Sequence, residues 1–305
     1  MNNLELIKLL EVPAGPIDVV LDTDAYNEVD DQYAIAYMLK NSDKLNCKAI
    51  YAAPFFNSRS TSPAEGMYKS YDEIMKILDL CDRTDLCDKV YKGSTTYLPD
   101  EKTPVISDAA NDLVARAGAY SKENPLYVVA IGAITNVASA IIMDPTITDK
   151  IVIVWLGGHA LEWPDNNEFN LRQDVAAARI IFGCKAPFVQ LPCMGVVSGF
   201  DTTKPELEAR LIGKNKLAHY LAQNTLDDMA HLAEDVAWNR VIWDVTAVAW
   251  LLNDNNRFMF SRLCPIRLPG YDNKYEEAES DVMTYVYYII RDCIMTDLVN
   301  KITAN

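Results

Sequence analysis

The chain has little of what several function classes require. Its 305 residues include 3 histidines and 7 cysteines. The cysteines (Cys47, Cys81, Cys87, Cys184, Cys193, Cys264 and Cys293) are scattered, odd in number and form no C-x-x-C pair. A disulfide framework is therefore not expected, nor is a thiolate zinc site. They read as small buried hydrophobes in a reducing compartment. Positive charge is also scarce: 28 Lys and Arg stand against 43 Asp and Glu, for a net charge of −15. Polyanions are gripped by clustered Lys and Arg that release counterions. No basic stripe is present, so no nucleic-acid partner is expected. No stretch approaches the roughly 20 apolar residues of a membrane span, so no membrane partner is expected. The opening MNNLELIKLLEVP carries acids and no uninterrupted apolar core, which does not suit a signal peptide; the cytoplasm is the default. Linker-like tracts, low-complexity segments and internal repeats are missing too. Residues 1–305 read as one domain, just above the roughly 250–300 residues at which single cores stop growing.

What is present is a regular alternation. Ile17–Leu21, Cys47–Ala53, Leu126–Ile131, Ile151–Leu156 and Phe188–Leu191 are short apolar runs suited to buried strands. Between them lie helical spacings over Val29–Leu39, Pro63–Leu80, from Thr135 onward, and over Val175–Phe182. Continuous apolar strands separated by helices predict an α/β fold, with a mainly parallel central sheet covered on both faces. Such sheets bind ligands at the carboxyl ends of their strands. The segment Pro205–Ala237 is more helical and is expected to form an added lobe or lid.

The first strand ends in an unusual concentration of acid. Asp22, Asp24, Glu28, Asp30 and Asp31 fall within ten residues. Five carboxylates this close repel one another unless a cation or bound protons neutralise them. A helix N-terminus favours negative charge by only ~0.3–1 kcal/mol, too little to hold five acids in a cleft. Either the group is a solvated cap with spare charge, or it is a hard-cation site. Ca²⁺ takes six to eight oxygen ligands, including carboxylates and carbonyls. No histidine is nearby, which disfavours zinc, and no Gly stands where an EF-hand turn needs one. Calcium or magnesium suits these residues best.

The cluster, LDTDAYNEVDDQYAIAYML, resembles the signature of the nucleoside hydrolases, in which an Asp-x-Asp at a strand end precedes an Asp-Asp pair opening a helix. Three further segments resemble that family in the same order. They are AIGAITNVA (130–138), WLGGHALEWPDNNEFN (155–170) and WDVTAVA (243–249), so the resemblance spans about residues 17–250. It implies a Rossmann-like fold and a calcium-dependent hydrolase that cleaves the N-glycosidic bond of ribonucleosides. It also implies a homodimer or homotetramer. By analogy, Asp24, Asp31, Asp244 and the backbone carbonyl of Thr135 would hold Ca²⁺. Asp24 would deprotonate the attacking water. Asp30, Asn57 (in APFFN), Glu168 and Asn170 would bind ribose hydroxyls, so ribose should be favoured over 2′-deoxyribose. More ordinary roles stand beside these. Thr135-Asn136 and Asp244 can cap helices, Glu168 and Asn170 can be loop polars, and Gly157-Gly158 reads as a backbone requirement.

Two departures from the family pattern matter. Five residues, AYNEV, separate Asp24 from Asp30 where three are common, so Tyr26, Asn27 or Glu28 can enter the pocket. Many members also carry a His before the late Asp, where it protonates the leaving base. Here Trp243 stands there, and indole donates no titratable proton. Trp243 is the candidate for stacking on the base, which favours purine ribonucleosides; its other role is a core Trp. His231 and His159 remain as candidate acids or substrate contacts, while His219 reads as structural. The loop before Glu168 is short, leaving Asn166 and Asn167 as weak candidates for another family Asn. Two further readings stay open. One is a haloacid-dehalogenase-type phosphatase built on Asp22-Thr23-Asp24. The other is a non-catalytic nucleoside or sugar sensor on the same fold.

Overall fold

A computed structural model of the protein describes residues 3–233 and 235–304. Glu234 of the expected helical lobe, and residues 1, 2 and 305 of the expected domain, lie outside the described residues. Runs rich in Val, Ile and Leu, too continuous for one-sided burial, form the interior strands. The strands are β1 (Ile17–Thr23), β2 (Leu45–Ala52), β3 (Val90–Lys92), β4 (Leu126–Ala130) and β5 (Ile151–Leu156). They continue with β6 (Phe188–Leu191), β7 (Asp201–Thr202), β8 (Arg240–Val241), β9 (Met259–Pro269) and β10 (Tyr275–Ile289). Eight of them make one sheet in the order β3-β2-β1-β4-β5-β6-β10-β9. Every neighbouring pair in it is parallel except β9–β10. β7 and β8 pair as a separate antiparallel ribbon.

Every residue of β4, β5 and β6 is buried. Alternation along each strand divides the side chains between two cores. Val19, Leu21, Val129 and Val154 join one, while Val20, Val128, Ile153 and Trp155 join the other. Each fully buried aliphatic side chain contributes about 1.5–3 kcal/mol, so both faces demand cover. Helices Asp31–Leu39, Val245–Leu251 and Arg291–Thr303 cover the first face, and Asp108–Ala117, Thr135–Met143 and Val175–Gly183 the second. All nine residues of Asp31–Leu39 are buried, because that helix also packs against Pro63–Leu80 and Val245–Leu251. Among the described residues no helix is long and apolar enough to cross a membrane.

The chain runs outward from β1 through β2 to β3, then returns to place β4 on the other side of β1. The order reverses there, which opens a crevice at the carboxyl ends of β1 and β4, the place where open α/β sheets receive ligands. The expected mainly parallel, doubly covered sheet is thus the observed one. The C-terminal hairpin β9–β10 had no counterpart in the sequence reading. β9 is an edge strand with much of its length exposed, so it lacks the continuous apolar run that marks the other strands. The helical segment after residue 204 is built into the first core. Leu207, Leu211, Leu217, Ala218, Leu221 and Ala222 are all buried in it. It is therefore a packed layer.

Candidate active site

The acids leaving β1 converge as their spacing predicts. Asp22, Asp24, Asp30, Asp31 and Asp244 are each at most 4% exposed. Carboxylate oxygens of Asp30, Asp31 and Asp244 lie within 4.8 Å of one another. Asp24 adjoins this triad from outside it, and its Oδ2 is buried without a hydrogen-bond partner. Gly132, just after β4, makes that position possible: a Cβ there would stand 3.0 Å from the Asp24 carboxyl carbon. Asp30 and Asp244 occupy the N-cap positions of Asp31–Leu39 and Val245–Leu251, yet neither carboxylate caps its helix. A cap would contribute about 1 kcal/mol. These side chains forgo it and turn toward the other acids.

The electrostatics follow. Burial, then the charges of Asp31, Asp30 and Glu28, raises the Asp24 carboxyl well above the usual range. Asp30 is raised by burial and by Glu28 and Asp31, with Arg240 opposing. Asp244 is raised by burial and by Asp30, Asp31 and Asp24. Burial pushes Asp31 up to about 7, against hydrogen bonds with Thr23 and Asp244. Two carboxyls in hydrogen-bond contact need a proton or a cation between them. Buried oxygens, an unpartnered Asp24 Oδ2 and no nitrogen or sulfur donor in the triad together fit a hard divalent cation.

Asp22 and Thr135-Asn136 support this centre from beneath. The Asn136 amide donates to Asp22 Oδ1 (2.8 Å) and its Oδ1 accepts from Ser94 N (2.7 Å). Asp22 is fully buried, its carboxyl pushed up to about 7 by burial, and it does not line the cavity. A nucleophile so enclosed cannot meet a phosphate ester, and no Lys or Arg lines the cavity; the phosphatase reading is set aside. Thr135 Oγ1 donates to Asp174 Oδ2 (2.7 Å). Neither Thr135 nor Asn136 caps the helix, whose N-cap is Ile134 without a side-chain bond.

Above the acids opens a cavity of about 200 Å³. Asp24, Asp30, Asp244, Trp243, Leu156, His159, Glu168 and Asn170 are among the residues that line it. Trp243 is half-buried: it packs against the first core and also lines the cavity. Glu168 caps the short helix Phe169–Gln173, accepting from Asn170 N (2.9 Å) and Leu171 N (2.8 Å), and also from Gly158 N (3.0 Å). It is thus a helix cap, a role not expected from the sequence, and it lines the cavity as well. The Asn170 amide donates to the carbonyls of Ile131 (3.2 Å) and Leu156 (3.1 Å), which leaves its Oδ1 as the acceptor available to a ligand. Asn57 is placed otherwise than expected: it does not line the cavity. Its amide is engaged by Asn27 Oδ1 at 2.6 Å, so it braces the loop between Asp24 and Asp30.

Of the inserted residues, Asn27 and Glu28 line the cavity, while Tyr26 is exposed. Asn167 lines it too; Asn166 is buried and accepts from His159 N at 2.8 Å. His159 lies in the wall, His231 is exposed beside the Asp228 carbonyl, and His219 is exposed on Lys216–Asp228. The sequence reading did not single out Cys193, Met194 and Phe169 as pocket residues. Cys193 and Met194 follow β6, so the strand-end rule, carried one strand further, would have found them.

Comparison with known proteins agrees with this geometry. The family model for inosine-uridine preferring nucleoside hydrolases matches residues 19–287. The pyrimidine-specific ribonucleoside hydrolase RihA of Escherichia coli is 27% identical, over 89% of each chain. Its namesake from Shigella boydii is 26% identical, over 90% of each. Among solved structures, a plant nucleoside hydrolase, PpNRh1, superposes with a TM-score of 0.72 at 21% identity, covering 95% of this chain and 100% of its own. A purine-preferring ribonucleoside hydrolase from Gardnerella vaginalis does so with 0.72 at 19% identity, covering 94% and 98%. With its acids gathered at the β1–β4 crevice and its matching segments in order, the chain belongs to the inosine-uridine preferring nucleoside hydrolase family, a family of N-ribosyl hydrolases.

Proposed function

We propose that the protein hydrolyses the N-glycosidic bond of ribonucleosides in this cavity, with purine ribonucleosides favoured. The observation that carries the reading is the convergence of Asp30, Asp31 and Asp244 beside the unpartnered Asp24 Oδ2 at the floor of the cavity. Asp24, Asp31, Asp244 and the Thr135 carbonyl would supply oxygen donors for Ca²⁺. When bound, that ion would acidify water and anchor the vicinal ribose hydroxyls. Asp24 accepts the proton of the attacking water as water oxygen bonds to C1′ and the C1′–N pair leaves with the base. Departure is oxocarbenium-like, and the ring of carboxylates stabilises the positive charge developing on ribose. Asp30, Glu168 and Asn170 receive the hydroxyls, and Asn57 holds the Asp24–Asp30 loop through Asn27. Trp243 stacks on the base, in a setting where the names of similar proteins include both purine and pyrimidine preferences.

A reducing-sugar assay over purine and pyrimidine ribonucleosides, with and without a calcium chelator, tests this. Ribose release should vanish on chelation and return with calcium. Asp24→Asn should lower turnover roughly 10³-fold and, because Asp24 is also a proposed ligand of the cation, weaken nucleoside affinity too, by less than it lowers turnover. Tight nucleoside binding by the wild-type, calcium-loaded protein without any ribose release would instead favour a sensor on the same fold.

A further inference from the structure

His159 is built into the cavity wall with unusual care. It follows β5 by three residues and is 9% exposed. Its backbone N–H donates to Asn166 Oδ1 (2.8 Å), and its carbonyl accepts from the Tyr275 hydroxyl (3.1 Å). The imidazole is fixed as well. Nδ1 accepts from the backbone N–H of Met194 (3.3 Å), and the ring meets Trp163 edge to face with centroids 6.1 Å apart. An acceptor at Nδ1 places the ring proton on Nε2. Among the described residues no protein atom receives that Nε2–H, and the residue lines the substrate cavity.

We propose that His159 is a specificity-determining residue whose Nε2–H donates a hydrogen bond to an acceptor on the bound nucleoside, either the 5′-oxygen or a ring nitrogen of the base. The inference rests on the nucleoside-hydrolase reading. It also separates His159 from the leaving-group acid that Trp243 displaces. Burial keeps the imidazole below its ordinary pKa; of its charged neighbours, Arg172 adds to that effect and Asp165 opposes it. A second proton on Nδ1 would point N–H against the Met194 N–H. The ring is held as a neutral donor, suited to reading a substrate and unsuited to protonating a base.

The test compares wild type with His159→Phe, which keeps a ring without the donor, and His159→Gln, which returns an N–H near the position of Nε2. The substrates are a purine ribonucleoside, its 5′-deoxy analogue, and analogues lacking N3 or N7 of the base. Turnover and equilibrium dissociation constants are both measured. His159→Phe should lower kcat/KM and affinity for the parent nucleoside about tenfold, chiefly through KM, and His159→Gln should recover most of that loss. The penalty should disappear on the one analogue that lacks the acceptor, which names the 5′-oxygen or the base nitrogen. Equal penalties on every analogue, no recovery by His159→Gln, or changes within twofold throughout would overturn the proposal. Wild-type turnover decides the hydrolase reading separately, because the affinity series reports on His159 even without ribose release.

Discussion

Removing the cation should make the protein less stable as pH rises, and restoring it should reverse the trend. Asp24, Asp30, Asp31 and Asp244 all have carboxyls raised by burial and by one another. In the unfolded chain they return to ordinary values near 4. Groups raised on folding contribute stability that is full below the unfolded pKa and lost as pH climbs through the folded one. For Asp31 that window runs from 3.8 to about 7, and ionising it in place costs on the order of 4 kcal/mol. The exposed carboxyls with lowered values, Glu65, Asp85, Asp100 and Asp144, act oppositely but only at lower pH. Between about pH 5 and pH 8 the buried carboxyls, Asp22 among them, set the slope, against the lowered imidazole of His159, which acts oppositely.

On the proposed reading a divalent ion would take the place of those protons. At a hundredfold excess over its dissociation constant, calcium stabilises by about 2.7 kcal/mol. For a chain of this size that is a rise of roughly 5 °C in Tm. Protons compete for the same oxygens, so the rise should be largest near pH 8 and small near pH 5. Thermal melts in chelator and in calcium at the two pH values measure it, with Asp244→Asn as the control in which the calcium response shrinks. An equal response at both pH values, or an undiminished one in Asp244→Asn, would refute the idea that these carboxylates share one cation.

Three further outcomes are expected. Trp243→Ala should lower kcat/KM for purine ribonucleosides roughly tenfold and for pyrimidines less; an equal loss on all bases would remove stacking from the account. 2′-Deoxyribonucleosides should be poorer substrates by roughly 10⁴-fold in the same sugar-release assay, since a missing hydroxyl leaves buried acceptors unpaired. Gly158→Ala should cost on the order of 2–3 kcal/mol, read as a drop in the denaturation midpoint. Gly158 has φ +77°, and a Cβ there would meet the Tyr275 hydroxyl at 2.4 Å.

The parts of this molecule that were legible in its sequence are those where one local pattern has one physical cause. Strands β4 and β5 are buried along their whole length, so their apolar runs are unbroken and their ends are placed to within one residue, whereas β1, read as Ile17–Leu21, runs on to Thr23 through the first acid. The acids at the end of β1 stood out because nothing but a ligand or protons explains five of them together. The remainder depended on distant neighbours. Glu168 reads as a loop polar or a ligand until Asn170 and Leu171 are seen to donate to it as a helix cap. Asn57 matched a family position, but its partner Asn27 lies in the inserted loop, and no spacing rule reports a contact of that kind. β9 alternates irregularly because it is an edge strand whose partner, β10, covers only one side.

The inserted loop shows how a departure in sequence can leave a centre intact. β1 is fixed by β2 and β4 on either side, and Asp31–Leu39 is buried along its whole length. Neither end of the Asp24–Asp30 segment can therefore shift to absorb two added residues. The extra chain bulges outward, with Tyr26 exposed, and its excess negative charge is held in place from outside. Arg240 pairs with Glu28 (2.9 Å) and with Asp228 (3.3 Å). Arg59 pairs with Asp228 and also donates to the Glu28 carbonyl (3.2 Å). Two arginines thus fasten the loop to the end of helix Lys216–Asp228, and the Arg240 charge lowers Asp30 against its acidic neighbours. The helical segment after residue 204 is in this way tied to the acidic centre: its Asp228 holds the two arginines that engage Glu28 at the cavity edge.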